Sequence, residues 1–260
     1  MNDPLDVSAI QRRLASAALA LGLPLTYVEE TSSTNDEANA VAKAGAPHGA
    51  LVITDHQKSG RGRVGRTWFS PPNANLTFSL VLRPDIPLDR LSAITLAIGL
   101  AVADAVARFV DSAAVSIKWP NDVLVRSRKV AGILVETSLS GDRCDHVVAG
   151  IGVNVLQTEF DPAIEGIATS IAREAEAPVP REDVLMEVLA CLARRLDQFE
   201  RGGLSEMMAE LTARDGTKGR TVRVGDVEGV ADGIEANGKL RVMLNGALQK
   251  VQAGDVEVVK

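Results

Sequence analysis

Residues 115–156 constrain the fold more than any other part of the chain. "VSIKW" passes through a Pro-Asn-Asp turn into "DVLVR", and "KVAGILVETSL" and "HVVAGIGVNVL" follow with no helix-length connection between them. Antiparallel strands can be joined by a tight turn, whereas parallel neighbours need a crossover of a dozen or more residues. Strands in succession with few helices between them therefore predict a largely antiparallel or mixed sheet.

The flanking sequence adds helices to that sheet. Ile10, Leu14, Ala17, Ala18 and Leu21 recur at helical spacing over residues 8–21, with Gly22 and Pro24 as stop signals. "PLTYVEETSST" reads as a short strand and loop. Thr34 and Glu37 form an S/T-x-x-E capping box, predicting a helix over 35–44 that Gly45 and Pro47 end. "GALVITDHQ" and "NLTFSLVLRP" read as strands, and residues 91–110, 184–199 and 204–213 as helices. After Gly216 short β runs recur at about ten-residue spacing between Gly, Asp and Asn, the pattern of a small β-barrel or sandwich. The expected class is α+β: a mixed, largely antiparallel sheet flanked by helices over 1–214, and a small β domain over 215–260.

Composition narrows the setting. The chain has 260 residues, 46% hydrophobic and 24% charged, as soluble globular proteins have. Its net charge of −6 argues against a dedicated nucleic-acid binder, which carries a basic field. Cys144 and Cys191 lie far apart without metal or redox spacing, and the N-terminus has no secretory pattern. The apolar 91–110 stretch is interrupted by Asp104 and Arg108, so it reads as a buried helix and not a membrane span. These features predict a cytoplasmic protein with reduced thiols.

Against that acidic background, "SGRGRVGRTWFS" is locally basic. Lys58, Arg61, Arg63 and Arg66 interleave with Gly60, Gly62 and Gly65, with no acid nearby in sequence. Glycines let backbone N–H groups approach a ligand, and guanidinium forks suit carboxylate and phosphate oxygens. The loop lacks the G-K-[ST] ending of a P-loop. Read alone it fits an anion or nucleotide site, a solvated Arg/Gly loop, or a binder of single-stranded RNA.

Four other stretches are similarly open when read singly. "KWPND" puts Lys118 beside Asp122, or is an ordinary turn with a snorkelling lysine. Gly132 in "RKVAGILVE", and Gly150, Gly152 and Asn154 in "AGIGVNV", interrupt apolar strands as bulges do, or where something lies against the backbone. Ser33 and Thr34 in "TSSTN" fit helix capping. His48, His56 and His146 form no metal-spaced pair, and no nucleophile–base pair is legible.

Together, "STN", "Q…GRGRVGRTWFSP", "KWPND", "RKVAGILVE" and "GIGVNV" occur in an order that resembles the biotin protein ligases, strongly over about residues 25–156. The resemblance implies a class II synthetase/lipoate-ligase-like catalytic domain with an SH3-like C-terminal barrel. It implies synthesis of biotinyl-5′-AMP from biotin and ATP with Mg²⁺, then transfer of biotin to a lysine of a biotin carboxyl carrier protein. It assigns biotin to Ser33, Thr34, Asn35, Gln57, Gly60, Arg61, Gly62, Arg63, Lys129 and Gly132. It assigns the nucleotide to Arg63, Arg66, Trp68, Lys118, Asn121 and Asn154. Lys118 and Arg63 would stabilise charge on the reacting groups, and Asp122 would position metal or the incoming lysine. No individual ATP contact is carried into the C-terminal segment.

About thirty residues precede Ser33, too few for the helix-turn-helix of family members that are also repressors, so no DNA binding is expected. A lipoate or octanoate ligase or transferase shares the fold; the octanoyl-transfer version wants a catalytic cysteine, and Cys144 falls in a predicted loop and Cys191 on a helix. A non-enzymatic nucleic-acid-binding regulator is the reading from another class. The sequence leaves monomer and homodimer both open.

Overall fold

The computed structural model describes residues 2–259. Its larger sheet contains β1 (Leu25–Thr31), β2 (Leu51–Gln57), β3 (Leu76–Leu82), β4 (Val115–Lys118), β5 (Asp122–Val125), β6 (Arg128–Ser140) and β7 (Arg143–Val153). They lie in the order β1-β2-β3-β7-β6-β5-β4. Among the described residues the β1–β2 pair is the one parallel strand pair, so the mixed, largely antiparallel sheet expected from the sequence is the one found.

The helices are α1 (Val7–Ala17), α2 (Thr34–Lys43), α3 (Leu88–Leu91), α4 (Ile94–Val106), α5 (Ile171–Glu174), α6 (Arg181–Gly202) and α7 (Met208–Ala213). α2 is the crossover that the parallel β1–β2 pair requires. Strand alternation distributes the side chains between two cores. Leu51, Ile53, Leu80, Leu82, Val147 and Ala149 face the main core, which also takes the apolar faces of α4 and α6. Val52, Val81 and Val148 face the other way, onto Ala38 and Ala42 of α2. Both faces of β3 are covered, and all seven of its residues are buried. A buried ion pair between Asp55 and Arg181 (2.7 Å), with the Tyr27 hydroxyl donating to the same carboxylate (2.7 Å), ties α6 to β1 and β2.

The remaining strands are β8 (Thr221–Val224), β9 (Val227–Ile234), β10 (Leu240–Leu244), β11 (Ala247–Val251) and β12 (Glu257–Val258). They form a second, wholly antiparallel sheet in the order β11-β10-β9-β8-β12. Among the described residues no ladder joins β11 to β12, so the expected barrel is an open five-stranded sheet. The two sheets are stitched together at Trp119. Its backbone N–H donates to Thr217 Oγ1 and its indole N–H to the Gly238 carbonyl, each at 2.9 Å.

Several local expectations are corrected. α1 stops at Ala17, short of Leu21, because Ala18 takes a left-handed conformation (φ 48°). The apolar helix expected over 91–110 runs only from Ile94 to Val106 as α4, and Leu91 instead ends the short α3. The last helical stretch opens as a 3₁₀ turn, Gly203–Met207, before α7. The capping box does not form. Ser33 is the N-cap of α2, the Thr34 hydroxyl donates to Gln57 Oε1, and Glu37 accepts from the Thr31 hydroxyl. Tertiary partners outcompete the local ones. Cys144 lies inside β7 and not in a loop.

Candidate active site

The site follows from the alternation just described. Along β7, Val148 is covered by α2, but the same face continues past the helix as Gly150 and Gly152. Ladder register extends this face sideways. Gly152 is the Cα partner of Thr77 on β3 and of Gly132 on β6. Gly132 pairs with Asp122 on β5, and Asp122 with Lys118 on β4. Thr77, Gly152, Gly132, Asp122 and Lys118 thus form one row across the sheet, and all five line the main cleft. The middle of the row has no side chain to fill it. A Cβ on Gly152 would lie 2.3 Å from the Trp68 ring, so only glycine permits that approach.

The N-terminus of α2 forms one wall. Thr34 donates from its backbone N–H (2.7 Å) and its hydroxyl (3.1 Å) to Gln57 Oε1. Ser79 Oγ lies 2.8 Å from Thr34 Oγ1 and 2.7 Å from Asn35 Oδ1. Asn35 Nδ2 donates to Glu136 Oε2 at 2.9 Å. Ser33, Thr34, Asn35 and Gln57 are all buried. This is a row of short polar groups held by one another, suited to orienting a small polar ring system.

The Arg/Gly loop forms a second wall, joined to α2 through Arg61 and Asp36. It folds back through an Arg61–Thr67 bridge and a 3₁₀ turn at Arg63–Gly65. Its arginines are met by carboxylates from elsewhere in the chain: Arg61 by Asp36 (2.7 Å) and Glu136 (3.2 Å), Arg63 (3.4 Å) and Arg66 by Asp255. Lys129 lies 2.6 Å from Asp122 and 5.6 Å from the centroid of the Trp68 ring. Among the described residues the buried Trp68 Nε1 finds no hydrogen-bond partner here, and the buried Asp122 Oδ1 is met by the Lys129 ammonium.

Lys118 differs from the other cations. Among the described residues it alone of the cleft's Lys and Arg side chains makes no ion pair. Burial pushes its ammonium below the usual lysine range. Asp122 opposes that shift, Lys129 and Arg66 add to it, and Asp255 opposes it. A half-buried cation without a protein partner is suited to taking negative charge from a ligand.

Most of the sequence-predicted residues meet in this cleft: Ser33, Thr34, Asn35, Gln57, Arg61, Gly62, Arg63, Arg66, Trp68, Lys118, Asn121, Asp122, Lys129 and Gly132. Gly60 shapes the loop from behind, its carbonyl accepting from the Trp68 N–H at 2.8 Å. Asn154 is not brought to the lining. The chain leaves β7 at Val153, and the Asn154 amide donates to the Thr169 carbonyl at 2.9 Å inside the protein. Asn121 reaches the cleft but spends its amide on the Ile133 carbonyl (3.0 Å). Gly150 and Gly152, read from the sequence as points of close approach to the strand, do line the cleft. Sequence reasoning missed Thr77 and Asp255. Alternation on β3 carries a signal for the first; nothing local marks the second.

The fold and its motifs have known counterparts. Residues 27–154 match the model of the biotin/lipoate A/B protein ligase family. The chain is 36% identical over 267 residues to the biotin–[acetyl-CoA-carboxylase] ligase of Mycobacterium tuberculosis, covering 98% of this chain and 96% of that protein. It is 33% identical over 264 residues to the bifunctional ligase/repressor BirA of Bacillus subtilis, covering 98% and 80%. The biotin protein ligase from Aquifex aeolicus in complex with biotin and ATP superposes with a TM-score of 0.78 at 27% identity, covering 92% of this chain and all of that one. With relatives aligned along nearly its whole length and the shared motifs gathered into one cleft, the chain belongs to the biotin/lipoate A/B protein ligase family, among its biotin protein ligases.

Proposed function

We propose that this chain is an ATP-dependent biotin ligase acting in the cytoplasm. It forms biotinyl-5′-AMP and passes the biotinyl group to a lysine of a biotin carboxyl carrier protein, such as that of acetyl-CoA carboxylase. The observation that carries the reading is the glycine-floored row ending at Lys118, faced by a wall of arginines. In the first step a carboxylate oxygen of biotin attacks the α-phosphorus of ATP, the bond to the bridging oxygen breaks, and pyrophosphate leaves. Two anions approach one another, so cations must offset their repulsion. Lys118, with no internal partner, serves the reacting phosphate, and Arg63 and Arg66 serve the remaining phosphate oxygens. Ser33, Thr34, Asn35 and Gln57 orient the biotin ring system, whose chain lies over Gly132 and Gly152 toward Lys129 once the Trp68 ring that rests on these glycines moves aside. In the second step the carrier's lysine amine attacks the acyl carbon and AMP departs. The intermediate is destroyed by water, and the arginine loop covers it.

Mg²⁺ fits this site through its substrate. No cluster of three or more His, Cys, Asp or Glu among the described residues could cage a metal. Mg²⁺ is commonly held by one or two carboxylates together with substrate phosphates. Asp122, which lines the cleft with its Oδ1 ion-paired to Lys129, is the carboxylate that would contribute to it; the ion would neutralise phosphate charge. We assign both chemical steps to residues 1–214, with 215–260 as an appended β unit that contributes Asp255 to the cleft.

Neither rival gains support. Cys144 and Cys191 lie outside the cleft lining, and burial pushes both thiols up, away from the thiolate that octanoyl transfer would use. The loop arginines are matched to Asp36, Glu136 and Asp255, so they do not form a free basic field for nucleic acid. The test is biotin-dependent exchange of pyrophosphate into ATP, followed by label transfer to a carrier domain. Exchange driven by lipoate and not by biotin, or none at all, overturns the reading.

A further inference from the structure

Two of the loop arginines end on a single carboxylate from the far end of the chain. Arg63 Nε lies 3.4 Å from Asp255 Oδ1, and Arg66 Nη2 donates to Asp255 Oδ2. The Asp255 side chain is 18% exposed, against 29% for Arg63 and 59% for Arg66, so the carboxylate is the most enclosed member of the cluster.

Its placement is built by the C-terminal sheet. On one side, Glu257 and Val258 of β12 pair with Arg223 and Val222 of β8, and the Val259 N–H donates to the Thr221 carbonyl. Val256 is buried between them and the cleft. On the other side, Gly254 takes φ +141°, and a Cβ there would come within 2.6 Å of Val224 Cγ1. A side chain at 254 would push the segment off the sheet and withdraw Asp255.

Guanidinium N–H groups that suit a carboxylate suit phosphate oxygens equally, and the same donors cannot serve both at once. We propose that Asp255 is a positioning residue for the nucleotide step: it holds Arg63 and Arg66 over the cleft and yields them to the phosphates of ATP, so its charge sets how tightly nucleotide is bound. Biotin, seated on the glycine floor and the α2 wall, does not compete for these contacts. The inference rests on the cleft being the biotin and ATP site.

The test uses the full chain and two variants. Asp255→Asn keeps size and removes the charge that competes with phosphate; Asp255→Glu keeps the charge. Calorimetric titration with ATP and with biotin is paired with pyrophosphate-exchange kinetics. Loss of two charge-assisted contacts from the competing state predicts ATP binding about five- to tenfold tighter in Asp255→Asn, with a matching fall in the KM for ATP. Biotin affinity and kcat stay within about twofold, and Asp255→Glu returns to the wild-type ATP constant. A merely structural latch would lower the melting temperature without splitting the two KM values. Unchanged or weaker ATP binding in Asp255→Asn, beside a wild type that binds ATP and exchanges pyrophosphate, overturns this inference alone. A wild type that binds neither ligand overturns the functional reading and the inference with it.

Discussion

The floor of the cleft and its arginine wall are made by different physics. The floor is one row of Cα partners, Thr77–Gly152–Gly132–Asp122–Lys118, held by four ladders of a sheet that is buried on both sides at β3. Its geometry is as rigid as the main-chain hydrogen bonds that set it. The wall is a loop whose position depends on ion pairs to Asp36, Glu136 and Asp255, with Arg61 and Arg66 well exposed. Exposed ion pairs are individually weak and screened by salt. A site built this way fixes the reacting atoms on the sheet and leaves the cover adjustable, as a reaction with a water-sensitive intermediate requires.

The sharpest way to break that contrast is at the floor. Lys118→Ala removes the one unpartnered cation of the row, and biotinyl-adenylate formation should fall roughly 100- to 1000-fold, as for loss of a preorganised donor. Biotin affinity should hold, as calorimetry would show; a variant with normal adenylation would remove Lys118 from the chemistry. Gly152→Val comes next. Its side chain would occupy space now within 2.3 Å of Trp68, and displacing bound biotin by about 1 Å would cost on the order of 100-fold in rate. Here biotin binding itself should be lost while circular dichroism stays native. Wild-type affinity in this variant would mean that biotin does not lie on the floor.

The same contrast explains what was legible in the sequence. Floor residues sit on strands with period-two patterning and a tight Pro-Asn-Asp turn, so local sequence already places Lys118, Asp122 and Gly132 near one another. The wall's partners are not local. Asp255 meets Arg66 from 189 positions away, across two sheets, and no periodicity near either residue encodes the contact. Local signals also misled where tertiary contacts were stronger. Thr34 and Glu37 match a capping box, yet Gln57 and Thr31 claim their side chains. Asn154 follows the glycines at the right spacing to face the floor, but the strand ends one residue earlier and the amide turns inward.

Changes in the wall should be milder and of a different kind. Arg63→Ala leaves the floor and the α2 wall intact, so biotin binding should remain measurable while the adenylate escapes faster. A release rate roughly tenfold higher, the loss of one charge-assisted contact, is expected in a filter or stopped-flow assay. Retention equal to wild type would show that the loop does not cover the intermediate.

The smallest effect at neutral pH, and the most diagnostic, concerns the charge on Lys118. Burial lowers its pKa, so the ammonium is present below that depressed value and is lost as pH rises through it. Adenylation should therefore decline on the alkaline side at a lower pH than an exposed lysine would give. Lys118→Arg, with a guanidinium that stays charged, should flatten that limb even if its maximum rate is lower. Stability carries the opposite sign. Between the depressed native pKa and the ordinary unfolded one, the unfolded chain binds the extra proton, so stability rises with pH across that window. Below it, the native state bears the cost of a half-buried, unpaired ammonium. Lys118→Met should then melt higher than wild type at neutral pH while failing to adenylate biotin. A lower melting temperature in Lys118→Met would show that Lys118 is held by compensating contacts, and that the floor is not strained in favour of catalysis at its charged end.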